Sequence, residues 1–188
     1  IREMPGHREP RFTMLETIRE FGLEQLTASG EEVDAQQRHG TYALALIERL
    51  DAHVFEHLTE AAQVLAILQA EYPNLRAALA HFAATGAVEP FVQLAGRLHA
   101  FWINQGMFQE GQHWLEQAVA MGTAASLPAR VWAEVGLVGM LYGQQGQTDR
   151  SLRLLDEAVT LARASGDALA IALATEYRGA PATRMGDL

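Results

Sequence analysis

The sequence contains no cysteine and no lysine among its 188 residues. Without cysteine, a disulfide scaffold, thiol catalysis and a cysteine-ligated zinc or iron–sulfur site are all excluded. The 14 basic residues, all arginine, face 23 acidic residues, and the formal net charge is −9 at pH 7. This balance disfavours a nucleic-acid surface, because binding to phosphates needs a clustered excess of cations. Absence of cysteine also suits a reducing compartment, and we expect a cytoplasmic protein.

Long apolar runs are missing as well. The nearest candidate, residues 131–143, is shorter than the roughly 20 residues that a membrane-spanning helix needs, and it carries Glu134. We therefore expect no membrane contact. Prolines number only six and β-branched residues are sparse, whereas alanine occurs 32 times and leucine 24 times. Because alanine and leucine favour helix, this composition predicts an all-α protein.

The hydrophobic pattern predicts one short strand followed by a series of helices. Residues 11–14 alternate between polar and apolar, which is typical of a strand, and apolar residues then recur at helical spacing. Most of the predicted helices end at a glycine, and Pro73 is expected to open one of them, because proline is tolerated in a first turn. The predicted helices cover about 15–29, 31–52, 60–72, 73–86, 89–104, 108–121, 128–144, 148–164 and 168–180. Their short connections favour antiparallel neighbours.

The second half of the chain repeats itself at a distance of 40 residues. Each unit has an aromatic residue, a glycine four positions later, a small residue five after that, a large apolar residue four further on and an alanine three beyond it. The matched positions are Trp102 with Tyr142, Gly106 with Gly146 and Gly186, Gly111 with Ser151, Leu115 with Leu155, Glu116 with Asp156, and Ala118 with Ala158. This is the spacing of a tetratricopeptide-type helical hairpin.

The repeat predicts antiparallel helical hairpins that stack as a tetratricopeptide-like right-handed superhelix. Clear units are expected at about 89–122 and 128–165, with a truncated unit at 168–188 that Pro181 would interrupt. Because the chain ends inside this unit, and because residues 1–11 are polar and contain two prolines, we expect a piece of a larger polypeptide.

Four segments, taken in order, resemble a known family. Residues 11–26 (RFTMLETIREFGLEQL) resemble the strand and helix that leave the winged-helix subdomain of signal-transduction ATPases with a nucleotide-binding module. The helical array that follows such a subdomain is similar to residues 38–48 (RHGTYALALIE), 71–79 (EYPNLRAAL) and 101–120 (FWINQGMFQEGQHWLEQAVA). The family is that of large bacterial transcriptional regulators of the LuxR, AfsR and MalT-like type.

The resemblance implies a domain division and a function. Residues 1–30 would be a linker plus the last strand and helix of a winged-helix subdomain, and residues 31–188 would be the helical-repeat domain. Such a domain is implied to be a non-catalytic sensor that binds a protein partner, a peptide or a small-molecule effector, and that controls the ATPase and DNA-binding portions of the same polypeptide. This portion is not expected to contact nucleic acid itself or to need a cofactor.

Tetratricopeptide geometry also predicts which residues line the binding groove. They come from the first helix of each hairpin and are mostly polar or small, which suits hydrogen bonding to an extended segment or a modest ligand. The expected groove residues are Gln93, Gly96, Ala100, Ile103, Asn104, Ala133, Gly136, Met140, Gly143, Gln144, Glu176 and Arg184.

Catalytic motifs are weak. Gly106-x4-Gly111 lacks the Lys and Ser/Thr that a phosphate-binding loop requires. The segment from His53 to His57 matches H-x-x-E-H, in which two imidazoles four apart could share a metal and Glu56 could act as a base. No third ligand is identifiable in the sequence. A metal-dependent hydrolase that uses this motif is therefore only the alternative to a sensor. A purely structural helical spacer is another.

Two further patterns have two interpretations each. Glycines recur at three- and four-residue spacing along one predicted helix, at Gly136, Gly139, Gly143 and Gly146. They could admit a ligand, but close helix packing is favoured. Likewise, Trp102, Trp114 and Trp132, with Phe101 and Tyr142, could form an aromatic ligand box, although burial between helices is favoured.

Overall fold

The computed structural model describes residues 2–4, 11–56, 61–141 and 148–179. The chain divides into two compact units, residues 1–41 and residues 42–188. The helix α2 (Glu32–Glu56) begins in the first unit and ends in the second.

The first unit contains a two-stranded antiparallel sheet and one complete helix. Strand β1 (Arg2–Met4) pairs with β2 (Arg11–Thr13), and α1 (Glu16–Ser29) follows. Gly30 ends α1 in a left-handed conformation with φ of 75°, and the N–H of Glu31 donates to the carbonyl of Leu26 over 3.0 Å. The predicted strand at 11–14 and the glycine-terminated helix are confirmed, but β1 lies within the residues that the sequence predicted to be a linker.

The second unit is helical throughout its described part. Its helices after α2 are α3 (Ala61–Thr85), α4 (Val88–Gln105), α5 (Phe108–Met121), α6 (Leu127–Leu141), α7 (Thr148–Ser165) and α8 (Ala168–Gly179). A single 3₁₀ turn, Gly122–Ala124, follows α5. Apart from β1 and β2, the described chain is all-helical, as the composition predicted. None of the described helices is both long and apolar enough to cross a membrane.

One predicted helix boundary is wrong. Pro73 does not open a new helix but lies inside α3, which is continuous from Ala61 to Thr85. Proline removes one backbone N–H from the helix, yet Pro73 is exposed, while Val64, Leu75 and Leu79 on either side of it are buried. Burial of one continuous apolar face therefore outweighs the lost hydrogen bond.

The helices from α4 onward pack in a regular order. α4 contacts α5 and α6, α5 contacts α6, α6 contacts α7 and α8, and α7 contacts α8. Each helix therefore packs against its next neighbour, and α4, α6 and α8 also pack against one another in sequence. The small and apolar positions that repeat in the second helix of each hairpin are all buried, namely Gly111, Ser151, Leu115, Leu155, Ala118 and Ala158.

Two clusters of apolar side chains form the core, and α6 contributes to both. Ala133 and Leu137 belong to the larger cluster, which extends over α2–α6, whereas Val131 and Val135 belong to the smaller one with α7 and α8. The helix α6 is buried along nearly its whole length. A hydrogen bond also connects two helices of the larger cluster. Trp102 Nε1 on α4 donates to the Tyr72 hydroxyl on α3 over 2.8 Å.

Candidate functional site

The second unit contains a cavity of about 460 Å³ that is partly open to solvent. Five helices of its described part contribute to the walls. The lining residues are Ile47 and Leu50 from α2; Ala62, Val64, Leu65 and Leu68 from α3; Arg97, His99, Ala100, Phe101 and Asn104 from α4; Trp132 from α6; and Leu173, Glu176 and Tyr177 from α8. The volume lies within the range that holds small molecules in proteins.

Aromatic rings and one arginine form the α4–α6–α8 side of the cavity. The His99 ring lies 5.9 Å from the Trp132 ring and 6.1 Å from the Tyr177 ring, between ring centroids. The Arg97 guanidinium carbon lies 5.2 Å from the centroid of Trp132, within the distance of a cation–π interaction. These contacts fix Arg97 beside the cavity.

Glycines allow α4 and α6 to approach closely enough for these contacts. A Cβ at Gly96 would lie 2.8 Å from Trp132 Cβ and 2.9 Å from the backbone N of Ala133. A Cβ at Gly136 would lie 2.8 Å from His99 Cβ, and one at Gly139 would lie 2.9 Å from Ile103 Cδ1. The packing interpretation of the glycine stripe therefore holds for Gly136 and Gly139. Gly143 and Gly146 lie outside the described residues.

His99 is the buried polar group of the cavity wall, only 4% exposed. Its Nδ1 lies 2.7 Å from the carbonyl oxygen of Gly96, and because a carbonyl can only accept, Nδ1 donates. Burial lowers the pKa of His99 below its usual value, and the hydrogen bond to Gly96 opposes this only in part. The ring is therefore neutral at pH 7, and Nε2 carries a lone pair that can accept a hydrogen bond.

The remaining polar side chains of the cavity are on α4 and α8. Asn104 is exposed, and its Nδ2 donates to the Ala100 carbonyl over 2.7 Å, so that its Oδ1 can act as an acceptor. Glu176 is exposed on α8, next to Tyr177. The cavity thus combines an apolar wall from α2 and α3 with charged and hydrogen-bonding groups from α4 and α8.

Three of the predicted groove residues line this cavity: Ala100, Asn104 and Glu176. The prediction is wrong for Met140, which is 1% exposed and packs in the core, where its Sδ would lie 2.9 Å from a Cβ at Gly111. The α6 face that carries Met140 thus meets α5.

The other predicted groove residues lie elsewhere. Gln93 is half-buried on α4, where its Nε2 donates to Glu89 Oε1 over 2.9 Å. Gly96, Ala133 and Gly136 are buried. Ile103 is half-buried and packs against the larger core cluster. Gln144, Gly143 and Arg184 fall outside the described residues.

The predicted metal candidates come from the end of α2 and the residue after it. His53 and Glu56 fall in the last turns of α2, and His57 lies outside the described residues. Within the part of the chain that is described, no group of three or more metal-binding side chains is found.

The two glycines of the weak phosphate-loop match have different structural roles. Gly106 ends α4 with φ of 68°, and Gly111 is buried inside α5.

Sequence reasoning missed part of the cavity. The apolar wall from α2 and α3 has no local signal, because only tertiary packing brings Ile47, Leu50 and residues 62–68 beside α4. Trp132 did have a signal, since it belonged to the possible aromatic box. In the structure Trp102 is fully buried, Trp114 is half-buried against Phe91, and Trp132 is buried too, although it also lines the cavity.

Comparison with known proteins gives distant relatives. The chain is similar to proteins from Mycobacterium bovis and from two strains of Mycobacterium tuberculosis, all provisionally named HTH-type transcriptional regulators. Each is 28% identical to it over an alignment of 169 positions that covers 86% of this chain. The chain spans only 19% of the length of these relatives. No protein-family model matches the chain, and no solved structure matches it.

Proposed function

We propose that this chain is the helical-repeat sensor portion of a cytoplasmic bacterial transcriptional regulator of the LuxR, AfsR and MalT-like type. It binds a small effector or a partner segment in its cavity, has no catalysis of its own, and passes the binding event to ATPase and DNA-binding portions of the same polypeptide. The single observation that carries the proposal is the cavity of about 460 Å³, because an apolar concavity with a few fixed polar groups is what small-ligand sites share.

The packing order of the helices supports a tetratricopeptide-like array. In a stack of helical hairpins each first helix contacts the first helix of the next hairpin, and α4, α6 and α8 contact one another in this way. Their shared side forms one wall of the cavity. The relatives named HTH-type transcriptional regulators support the regulatory context, since most of their length lies beyond the part that this chain matches.

Blocking the cavity tests this proposal. Ala100 is exposed on α4 and lines the cavity, so that Ala100→Trp obstructs it, whereas Ala120→Trp adds the same side chain at an exposed position of α5 outside it. A library of bacterial metabolites and short peptides is tested by thermal unfolding. Effectors are expected to raise the Tm of the parent protein and of Ala120→Trp, but not that of Ala100→Trp.

The size of the expected shift follows from binding linkage. A ligand at a hundred times its Kd adds about 2.7 kcal/mol to the free energy of unfolding. A structural spacer predicts no ligand-dependent shift in any of the three proteins. Equal stabilisation of Ala100→Trp and Ala120→Trp would place the binding site elsewhere and refute the cavity assignment.

A further inference from the structure

We propose that the ligand of this cavity is a short zwitterionic peptide with apolar side chains, of about two residues. This inference rests on the proposed function, since it names the chemical class of the effector that the cavity binds. It comes from the charges, the hydrogen-bonding groups and the apolar surface of the lining residues.

The charged lining residues within the described part of the chain have opposite signs and lie on different helices. Arg97 belongs to α4 and Glu176 to α8. A guanidinium pairs with a carboxylate through two parallel hydrogen bonds, and a carboxylate pairs with an ammonium. A ligand with one group of each sign can therefore pair with both residues.

The position of Arg97 favours recognition of a carboxylate. Its guanidinium is held 5.2 Å from the centre of the Trp132 ring, which restricts the side chain before any ligand arrives. Arg97 also interacts within the protein, and the five N–H donors of a guanidinium allow it to bind a ligand carboxylate in addition.

The uncharged polar groups suit a peptide bond. His99 is neutral, with Nδ1 donating to Gly96, so that Nε2 can accept a hydrogen bond from an amide N–H. Asn104, fixed by its bond to the Ala100 carbonyl, offers a further polar contact. The apolar remainder of the wall would bury the peptide side chains, chiefly against Phe101, Leu68 and Leu173.

Singly charged ligands fit the lining less well. A fatty or aryl carboxylate would pair with Arg97 but would bring a second negative charge into the cavity that Glu176 lines. A hydrophobic cation would pair with Glu176 and meet Arg97 instead. Like charges in a partly desolvated site disfavour binding, so a ligand that carries both charges is preferred.

Four forms of one dipeptide test the two charges separately. The probes are leucyl-phenylalanine, its N-acetyl form, its C-terminal amide and the doubly capped form, and binding is measured by calorimetric titration. The free dipeptide is expected to bind tightest, and each cap is expected to weaken binding by roughly tenfold, because it removes one charge-assisted interaction. If either capped form binds as tightly as the free dipeptide, the zwitterion assignment is overturned.

Variants assign each charge to its residue. In Arg97→Gln the amide cap should no longer weaken binding, and in Glu176→Gln the acetyl cap should no longer do so; Arg97→Lys should retain part of the preference. The matched controls are Arg153→Gln and Asp149→Asn, on exposed positions of α7 outside the cavity, and they should behave like the parent. Cap effects that persist in Arg97→Gln and Glu176→Gln would refute the assignment.

Failure of this inference and failure of the proposed function have different signatures. If the dipeptide does not bind but other compounds stabilise the parent and not Ala100→Trp, the ligand class is wrong and the sensor function stands. If no compound of any class stabilises the parent, both proposals fail.

Discussion

Glu134 is an acidic side chain that folding buries. It lies on α6, is 4% exposed, and its Oε2 has no hydrogen-bond partner among the described residues. Burial raises the pKa of Glu134 to about 8, and Glu157 adds to the rise. Arg130 opposes it, but its Nη2 is 3.7 Å from Glu134 and also binds Glu157 over 3.2 Å. Between about pH 4.5 and pH 8, Glu134 is therefore protonated in the folded protein and ionised in the unfolded chain.

We predict that Glu134→Gln stabilises the protein at neutral pH. In the parent, the unfolded state loses the proton near pH 4.5 and the folded state only near pH 8, so that the free energy of unfolding falls as pH rises between these values. The glutamine removes this dependence and should add about 1–3 kcal/mol at pH 7 and almost nothing at pH 4. Urea unfolding at both pH values measures the difference.

The exposed Glu48→Gln on α2 is the control for this prediction, and it should leave the pH dependence of unfolding unchanged. A parent protein whose stability is flat between pH 5 and pH 8, or a Glu134→Gln variant less stable than the parent at pH 7, would contradict the burial argument.

Among the helices, α3 shows how local and tertiary preferences compete. The sequence rule that proline opens a helix predicts a break at residue 73, whereas the structure has one helix of 25 residues. The other boundaries agree to within a few residues because they depend on local chemistry. Gly30, Gly86, Gly106 and Gly166 all have positive φ at the ends of helices, where a residue with a Cβ would be strained.

We predict that Pro73→Ala stabilises α3. Proline leaves the carbonyl of Gln69 without its helical donor, and Pro73 is exposed, so that alanine restores one hydrogen bond and loses little packing. Greater flexibility of the unfolded chain offsets part of this gain. The expected net effect is an increase of about 1–2 kcal/mol in the free energy of unfolding, measured by chemical denaturation.

The exposed Ala80→Gly on the same helix is a matched control and should destabilise by about 1 kcal/mol. If Pro73→Ala instead lowers the stability, the prediction is wrong. Pro73 would then be needed to orient α3 for the hydrogen bond between Tyr72 and Trp102.

Across the second unit, α6 connects the two apolar clusters. One face of it packs with α4 and α5, within the larger cluster, and the other with α7 and α8. Because α6 is buried on both faces, its unfolding exposes apolar side chains of both clusters. This favours joint unfolding of the helices. The three tryptophans, Trp102, Trp114 and Trp132, all belong to this unit and report on it.

We predict that residues 42–188 unfold in a single transition. Leu98→Ala in the larger cluster should lower the free energy of unfolding by about 2–5 kcal/mol, and Val135→Ala in the smaller cluster by about 1–2 kcal/mol. Both should shift the same transition, followed by tryptophan fluorescence and by circular dichroism. A biphasic curve for Val135→Ala would show that α7 and α8 unfold independently.

Local sequence chemistry determined the helices, the glycines that end them and the buried repeat positions such as Leu115 and Leu155, because helical periodicity and a positive φ depend only on neighbouring residues. Only tertiary packing decided the cavity. Its walls combine residues that are as far apart in the sequence as Ile47 and Tyr177. The close approach of α4 and α6 at Gly96 fixes which face of each of these two helices is exposed to solvent. For that reason Met140 is buried, although the repeat pattern placed it in the groove, and Trp132, which is buried as the sequence favoured, still lines the cavity.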